Sequence, residues 1–320
     1  MWQLPESIEE LTNNQALVFE SLRRNLLDLY ADKGFGLVIP PMVEHVNSLL
    51  LTNDVVDEKT FKFLDPNSGK MLGVHADITP QIARIDAKRG SDSVEKYCYI
   101  NSILKTKADD FYASRSPIQA GAELYGSNAT ESDVEVIELM LESLKLLSID
   151  SVILILGNVA IFDSLTKQED LSIQAVAHLR AIFSRRSMPD LAIFLNNNTL
   201  KNADLFIHLI KLEGDSDILD KALIIFNHFE QAKIAIETLI IIDKQLIKKG
   251  IKAIFDLSEL QAYEYHTGVV FSAYNKNYSK ALAQGGRYND IGKSFGKSRA
   301  ATGFSFDLKF LSQSHFKNIK

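Results

Sequence analysis

SRSPIQAGAELYGS, residues 114–127, alternates between two kinds of side chain over its second half. If this segment is a strand, one face carries the apolar side chains of residues 118, 120, 122 and 124, as an ordinary core face does. The other face carries Gln119, Gly121, Glu123 and Tyr125. A Gln and a Glu that flank a glycine are unusual on a core strand, because the glycine bares the backbone between them. The segment therefore predicts a strand whose polar face is either solvated or holds a ligand.

The overall composition is that of an ordinary soluble globular protein. The chain has 320 residues, of which 46% are hydrophobic and 24% charged, so one large or two modest domains are expected. The formal net charge is −6 and the pI is about 5.7. A general nucleic-acid binder usually carries a basic face, so we expect no nucleic acid among the partners.

The single cysteine and the apolar runs indicate a cytoplasmic protein. Cys98 cannot form an internal disulfide, and it lies in the apolar strand-like run KYCYINSIL, which predicts a buried and unreactive thiol. The N-terminus is acidic and lacks a signal pattern. The longest apolar runs, such as SVILILGNVAIF, are far shorter than the ~20 residues that span a bilayer. We expect no membrane association.

The order of periodic segments predicts an α+β fold in which an antiparallel sheet is flanked by helices. A hairpin is expected around the turn-rich DPNSG, residues 65–69, and a helix over TPQIARIDAKR with Thr79 as its N-cap. From about residue 164 to 249 only helical periodicity remains, and strand patterns then return. We therefore predict a core formed by residues 1–163 and 250–320, with residues 164–249 as a helical insertion.

Common catalytic and metal-binding signatures are missing. GKSFGKS, residues 292–298, lacks the first glycine of a phosphate-binding P-loop, since Ile291 stands there. The seven histidines form no HxxxH pair, and no GxSxG nucleophile motif is present. We expect no catalytic residue, no metal ligand and no cofactor.

Glycines and small polar residues recur in or beside several strand-like segments. Besides residues 114–126 these are HADITPQIAR (75–84), EYHTGVVF (264–271), AQGGRY (283–288) and ATGFSF (301–306). A glycine inside a strand often marks close approach by a ligand or by another backbone. Several such segments in one chain predict a pocket on the floor of a sheet.

The order and spacing of these segments resemble the catalytic core of histidyl-tRNA synthetase, a class II aminoacyl-tRNA synthetase. GFGLVIPPMVE (34–44) resembles motif 1, the dimer-interface motif, with its proline at Pro41 and its acid at Glu44. Residues 114–126 resemble the second strand of motif 2, and ATGFSFDLKFL (301–311) resembles motif 3. EYHTGVVF and AQGGRY resemble the Tyr-Thr-Gly and Gly-Gly-Arg-Tyr segments. The resemblance implies a class II synthetase-like fold and a homodimer through the motif 1-like region.

The departures from the synthetase pattern fall on the residues that bind ATP. Where the synthetases carry phosphate-binding, adenine-binding or catalytic side chains, this sequence has Lys105, Lys107, Ala113, Gln261 and Phe310, and Asp307 stands at a small glycine of motif 3. Adenylate formation needs fixed positive charge around the triphosphate. Lys105 offers a point charge without the bidentate fork of arginine, and Phe310 offers no charge. The resemblance therefore implies a paralogue that has lost adenylation.

Such a paralogue is found in the regulatory subunits of ATP phosphoribosyltransferase, and the chain resembles that family. DITPQIAR matches its pattern of an acid, a Thr and a helix ending in Arg, although His75 and Ala76 stand where Arg and Pro are common. The chain ends soon after the motif 3-like segment, whereas an anticodon-binding domain needs on the order of 100 residues. The family implies a hetero-oligomer with a short-form catalytic subunit that joins ATP to phosphoribosyl pyrophosphate in the first step of histidine biosynthesis, and feedback inhibition by histidine.

The same resemblance implies a histidine pocket. The residues that match the histidine-holding positions of the synthetases are Asp77, Thr79, Gln119, Gly121, Glu123, Tyr265 and His266. A pair of carboxylates suits the ammonium and imidazole groups of L-histidine, and the glycines at 121 and 268 would let the ligand lie flat. The alternative is a vestigial pocket with a solvated face, and His266 stands where the synthetases use an aromatic hydroxyl.

Two other functions stay open on the sequence. One is a divergent class II synthetase-like ligase that activates a small amino acid. The other is a stand-alone amino-acid sensor that acts through RNA or a kinase. The acidic pI argues against this second alternative.

Overall fold

A computed structural model of the chain describes residues 2–49, 58–110, 113–260 and 265–316. The chain forms two compact units. The first contains residues 1–127, 138–150 and 289–320, and the second contains residues 128–137 and 151–288. Within the described residues, no helix combines the length and the apolar character that a membrane span requires.

The first unit is a mixed sheet with helices. Its elements are α1 (Asn13–Asp32), β1 (Gly36–Leu37), β2 (Val43–His45), α2 (Val46–Leu49), β3 (Phe61–Leu64), β4 (Met71–Val74), α3 (Thr79–Arg89), β5 (Glu95–Ser102), β6 (Ile118–Tyr125), the second half of α4 (Thr130–Leu146), β12 (Ala301–Asp307) and α11 (Leu308–Phe316). The strands β5, β6 and β12 pair antiparallel in that order, and β1 adds to β5 in parallel. A smaller antiparallel sheet has the order β2-β4-β3.

The second unit contains the other strands and most of the helices. Its elements are the first half of α4, β7 (Ile153–Asn158), α5 (Val159–Thr166), α6 (Ile173–Ser184), α7 (Met188–Asn197), α8 (Ala203–Lys211), β8 (Glu213–Gly214), α9 (Asp217–Ile225), α10 (Glu230–Lys248), β9 (Ala253–Asp256), β10 (Val269–Tyr274) and β11 (Ala283–Arg287). Its strands have the order β11-β10-β7-β9-β8, and all pairs are antiparallel except β7 with β9.

These elements confirm the α+β class with a largely antiparallel sheet. The hairpin expected around residues 65–69 is β3–β4. Between residues 164 and 249 the regular elements are helices apart from the two-residue β8, while the boundaries of the insertion stay a prediction.

The buried side chains of α1 recur at helical spacing and form one stripe along the helix. Its buried side chains are Phe19, Leu22, Leu26 and Tyr30, and the Tyr30 ring meets Phe304 of β12 edge to face at 6.4 Å. Leu17 of the same helix is 72% exposed. The tyrosine and phenylalanine have larger surfaces to bury than Leu17, so they set the side of the helix that faces the sheet.

Candidate functional site

The polar face of β6 is buried. Gln119 is 5% and Glu123 1% exposed, so their face is not a solvated one. The first turn of α3 and the residues before it cover this face, and the Ile78 backbone N–H donates to Gln119 Oε1 at 3.0 Å. Buried polar groups need partners, so the polar alternation noticed in the sequence reflects a hydrogen-bonded interior.

Asp77 organises the start of α3. Its Oδ1 accepts hydrogen bonds from the Thr79 backbone N–H at 3.3 Å and from Gln119 Nε2 at 2.9 Å. The expected N-cap role of Thr79 is wrong, because Thr79 is already helical and Ile78 occupies the cap position. The Asp77 carboxylate instead forms an Asx-type turn that orients the first turn of the helix. The Thr79 hydroxyl is thereby left for a different contact.

That contact is with Glu123. Thr79 Oγ1 donates to Glu123 Oε1 at 2.8 Å, and the Tyr99 hydroxyl of β5 donates to the same oxygen at 3.2 Å. The Tyr99 side chain is fully buried. A carboxylate that accepts two hydroxyl hydrogen bonds on one oxygen is held in a single orientation. The first unit therefore joins Asp77, Thr79, Gln119 and Glu123 in one hydrogen-bonded cluster.

Tyr99 is the residue of this cluster that sequence reasoning missed. It pairs with Gly121 in the β5–β6 register, so both lie on the same face. A Cβ at residue 121 would lie 2.5 Å from the Tyr99 hydroxyl oxygen and 2.5 Å from the Phe304 carbonyl oxygen. Gly121 therefore makes room for the Tyr99 phenol. The alternation of large aromatic residues in KYCYINS is the signal that could have pointed to it.

Tyr265 and His266 form an aromatic cluster in the second unit. The Tyr265 ring centroid lies 5.2 Å from that of His266 and 5.5 Å from that of Tyr288. A Cβ at Gly286 would lie 2.9 Å from His266 Nε2, so this glycine of the AQGGRY segment leaves space for the imidazole. Gly268 lies against the Arg287 side chain. A Cβ at residue 268 would lie 3.4 Å from Arg287 Cβ.

The motif 1-like strand is tied to α3. Glu44 Oε1 accepts hydrogen bonds from Arg84 Nη2 at 2.6 Å and from Gln81 Nε2 at 2.7 Å. Gln81 Nε2 also donates to the Pro41 carbonyl oxygen at 2.9 Å. The acid and the proline of the motif 1-like segment are thus both fixed by the helix that begins at the carboxylate cluster.

The positions that correspond to ATP-binding residues are engaged within the protein. Lys105 Nζ lies 2.5 Å from Asp109 Oδ2, and Lys59 Nζ lies 2.8 Å from Asp109 Oδ1. Burial opposes ionisation of Asp109, but the charges and hydrogen bonds of Lys105 and Lys59 outweigh it and lower its pKa to about 2. The positive charge of Lys105 is therefore neutralised by the neighbouring carboxylate of Asp109.

The strand of the motif 3-like segment is followed directly by a helix whose first turn it caps. Asp307 is the last residue of β12, and its Oδ1 accepts a hydrogen bond from the Phe310 backbone N–H at 3.2 Å. A carboxylate in this place satisfies an unpaired donor of the first turn and complements the helix dipole. Asp307 thus stabilises the start of α11. Gln261, at the position of a catalytic arginine, lies outside the described residues.

Neither a group of metal ligands nor a reactive thiol is found among the described residues. Among these residues, no three His, Cys, Asp or Glu side chains are grouped so that they could hold a metal ion. Burial raises the pKa of the Cys98 thiol to about 12, and its sulfur contacts the Phe35 carbonyl oxygen at 3.6 Å. The thiol is therefore protonated and unreactive at neutral pH.

Comparison with known proteins identifies the family. The family described as "Histidyl-tRNA synthetase" matches residues 7–311. An ATP phosphoribosyltransferase regulatory subunit from Thiobacillus denitrificans is 39% identical over 312 residues, which is 97% of this chain and 97% of that protein. This chain belongs to the family of ATP phosphoribosyltransferase regulatory subunits. A member from Thioalkalivibrio sulfidiphilus is 42% identical over 97% of this chain and 80% of its own length.

Solved structures of other proteins share the fold of this chain. One, described as an ATP phosphoribosyltransferase regulatory subunit/histidyl-tRNA synthetase from Bacillus halodurans, has a TM-score of 0.88 at 22% identity and covers 98% of this chain and 83% of that chain. A chain of the ATP phosphoribosyl transferase (HisG:HisZ) complex from Thermotoga maritima has a TM-score of 0.67 at 17% identity. The match covers 89% of this chain and 96% of that chain. The predicted class II synthetase-like fold is confirmed, and so is the prediction of a regulatory rather than a catalytic subunit.

Proposed function

We propose that this regulatory subunit assembles with a short-form ATP phosphoribosyltransferase catalytic subunit and makes its activity sensitive to L-histidine. A relative that is named as a regulatory subunit and matches over 97% of both chains supports the first part, together with the fold shared with a chain of the Thermotoga maritima complex. The chemistry belongs to the partner. A histidine effect on substrate binding by the partner is a coupling free energy between two sites, so the bound substrate must alter histidine affinity by the same factor.

The observation that carries the histidine proposal is the buried cluster of Asp77 and Glu123 in the first unit. Carboxylates accept charge-assisted hydrogen bonds from an ammonium or a protonated imidazole, and both groups occur in histidine. Thr79 and Tyr99 fix the orientation of Glu123, and Gln119 fixes that of Asp77. A pocket whose polar groups are already oriented loses less entropy when a ligand binds. Tyr265 and His266 stay candidate ligand residues from the sequence.

Glu123→Gln tests the histidine proposal. The substitution keeps the shape of the side chain and removes its charge, and a hydrogen bond to a charged group contributes about 1.5–3 kcal/mol. Histidine affinity should therefore fall about ten- to a hundredfold. Titration calorimetry on the isolated subunit measures the affinity, and inhibition of the assembled complex measures its consequence.

Glu237→Gln, at an exposed position of α10, is the matched control and should leave histidine binding unchanged. If the wild-type subunit binds no histidine, the inhibitor site lies elsewhere in the complex and the pocket is a relic. If Glu123→Gln binds as tightly as wild type, histidine does not use this carboxylate.

We also propose that two copies of the chain associate through the motif 1-like segment and that the complex is cytoplasmic. Four apolar side chains of residues 34–44 are exposed in the single chain, namely Leu37, Ile39, Met42 and Val43. Several exposed large apolar side chains within one short segment are typical of an interaction surface. The pairing of Glu44 with Arg84 holds this segment in place.

A further inference from the structure

Gly303 of β12 lies directly opposite Glu123 of β6 in the antiparallel register, so the two residues share a face of the sheet. The Glu123 side chain lies flat across Gly303. A Cβ at residue 303 would overlap Glu123 Oε2, and it would lie 2.5 Å from Glu123 Cδ. The space that a side chain at 303 would need is therefore filled by the carboxylate.

Glu123 has little freedom to avoid such a collision. Its Oε1 accepts hydrogen bonds from Thr79 Oγ1 at 2.8 Å and from the Tyr99 hydroxyl at 3.2 Å. The residue is 1% exposed, so its side chain cannot turn into solvent without opening the packing around it. A methyl group at 303 would force the carboxylate to break these hydrogen bonds.

We propose that Gly303 is a positioning residue for the ligand-binding carboxylate. Because residue 303 has no side chain, the Glu123 carboxylate can occupy the space above it. The negative charge then lies where a cationic group of an amino-acid ligand would bind. The proposal rests on the proposed histidine site for its functional part. Its geometric part, that residue 303 and Glu123 compete for one space, stands without that function.

A simpler role for Gly303 is also testable. The same Cβ would lie 2.8 Å from the Ala122 carbonyl oxygen, so a glycine could be required by the backbone alone. The two roles differ in one respect. If the carboxylate is the main obstacle, removing it makes an alanine at 303 tolerable. If the backbone is the obstacle, removing the carboxylate changes nothing.

A double-mutant cycle separates the two roles. Urea unfolding is measured for wild type, Gly303→Ala, Glu123→Ala and the double variant. We expect the midpoint shift caused by Gly303→Ala to fall to less than half in the Glu123→Ala background. An equal shift in both backgrounds overturns the proposal. Should Gly303→Ala fail to fold, recovery of a folded protein in the double variant gives the same answer.

Histidine titration then tests the functional part. Gly303→Ala should weaken histidine binding at least tenfold, as is expected of Glu123→Gln, while Gly250→Ala should not change it. Gly250 is the matched control, because it is exposed and a Cβ there would meet no atom within 4 Å. Unchanged histidine affinity in Gly303→Ala overturns the functional part. Absence of binding in wild type contradicts the histidine proposal instead, and the double-mutant cycle still decides the geometric one.

Discussion

Acidic residues of the same chemical type perform different tasks in this protein, and their neighbours decide which. Asp77 accepts a hydrogen bond from a backbone N–H of the first turn of α3, and Asp307 accepts one from the first turn of α11. Glu123 is held by two hydroxyl groups inside the sheet face, whereas Asp109 is held by two lysines. The hydroxyl donors orient the Glu123 carboxylate, whereas the lysines neutralise the charge of Asp109.

The lysine pairing of Asp109 makes a pH dependence predictable. The folded-state pKa is about 2, below the ordinary value of 3.8, so the ionised carboxylate stabilises the folded state. That contribution is complete above pH about 4 and is lost as the pH falls toward about 2. The free energy of unfolding of Asp109→Asn should therefore lie below that of wild type at pH 7, and the difference should shrink at pH 3.

Urea unfolding at the two pH values measures this effect. Asp170→Asn, at an exposed position, controls for the loss of a carboxylate as such. A difference between wild type and Asp109→Asn that is the same at pH 7 and pH 3 would contradict the assigned pairing with Lys59 and Lys105.

At the scale of elements, α3 links the carboxylate cluster of the first unit to the motif 1-like segment. Its first turn covers the polar face of β6, and its next turns carry Gln81 and Arg84, which hold the motif 1-like strand through Glu44. Because these residues lie on one rigid helix, a shift of its first turn moves both contacts together. We therefore expect ligand contacts at the carboxylate cluster and the geometry of the motif 1-like segment to be coupled.

The end of α3 provides an element-scale prediction. Gly90 adopts a left-handed backbone with φ +70°, and its N–H donates to the Asp86 carbonyl oxygen at 3.2 Å. A Cβ at this position would meet no atom within 4 Å, so the cost of a side chain is only conformational. Gly90→Ala should lower the free energy of unfolding by about 1 kcal/mol.

Gly90→Asn is the matched variant, because asparagine tolerates the left-handed region better than alanine. Chemical denaturation should rank the three proteins as wild type, Gly90→Asn and Gly90→Ala in decreasing stability. If Gly90→Ala is as stable as wild type, the helix end can adopt a different conformation.

For the whole molecule, the proposed homodimer gives a direct test. Ile39 is 69% exposed in the single chain and lies in the motif 1-like segment. A buried charge without a partner is strongly unfavourable, so Ile39→Glu should convert the dimer into monomers. Ile224→Glu, at a residue of α9 that is 75% exposed, should leave the dimer intact. Light scattering at micromolar concentration reports the mass, and a dimeric Ile39→Glu variant would place the interface elsewhere.

The alternative of a divergent ligase is also tested on the intact protein. Adenylate formation needs positive charge directed at the phosphates, but Lys105 is paired with Asp109, and the arginine position of the motif 3-like segment is Phe310. Incubation with ATP, Mg²⁺, histidine and labelled pyrophosphate should give no exchange above background. An active histidyl-tRNA synthetase serves as the positive control, and measurable exchange would establish the ligase.

The sequence by itself determined the elements and the fold class. Alternation in residues 118–125 gave a strand, the turn-rich DPNSG gave a hairpin, and the pattern of TPQIARIDAKR gave a helix. These are local properties, because backbone preference and side-chain periodicity act over a few residues. The order of five motif-like segments then sufficed to place the chain among class II synthetase-like proteins.

Only the tertiary structure decided what the polar face of β6 does. Strand register places Tyr99 over Gly121 and Gly303 under Glu123, and register depends on pairing between segments far apart in sequence. Burial of Gln119 and Glu123 depends on where α3 begins, which Asp77 and not Thr79 determines. Alternation along one strand reveals which side chains share a face, whereas what covers that face is set by packing between elements, because burial is a property of the assembled fold.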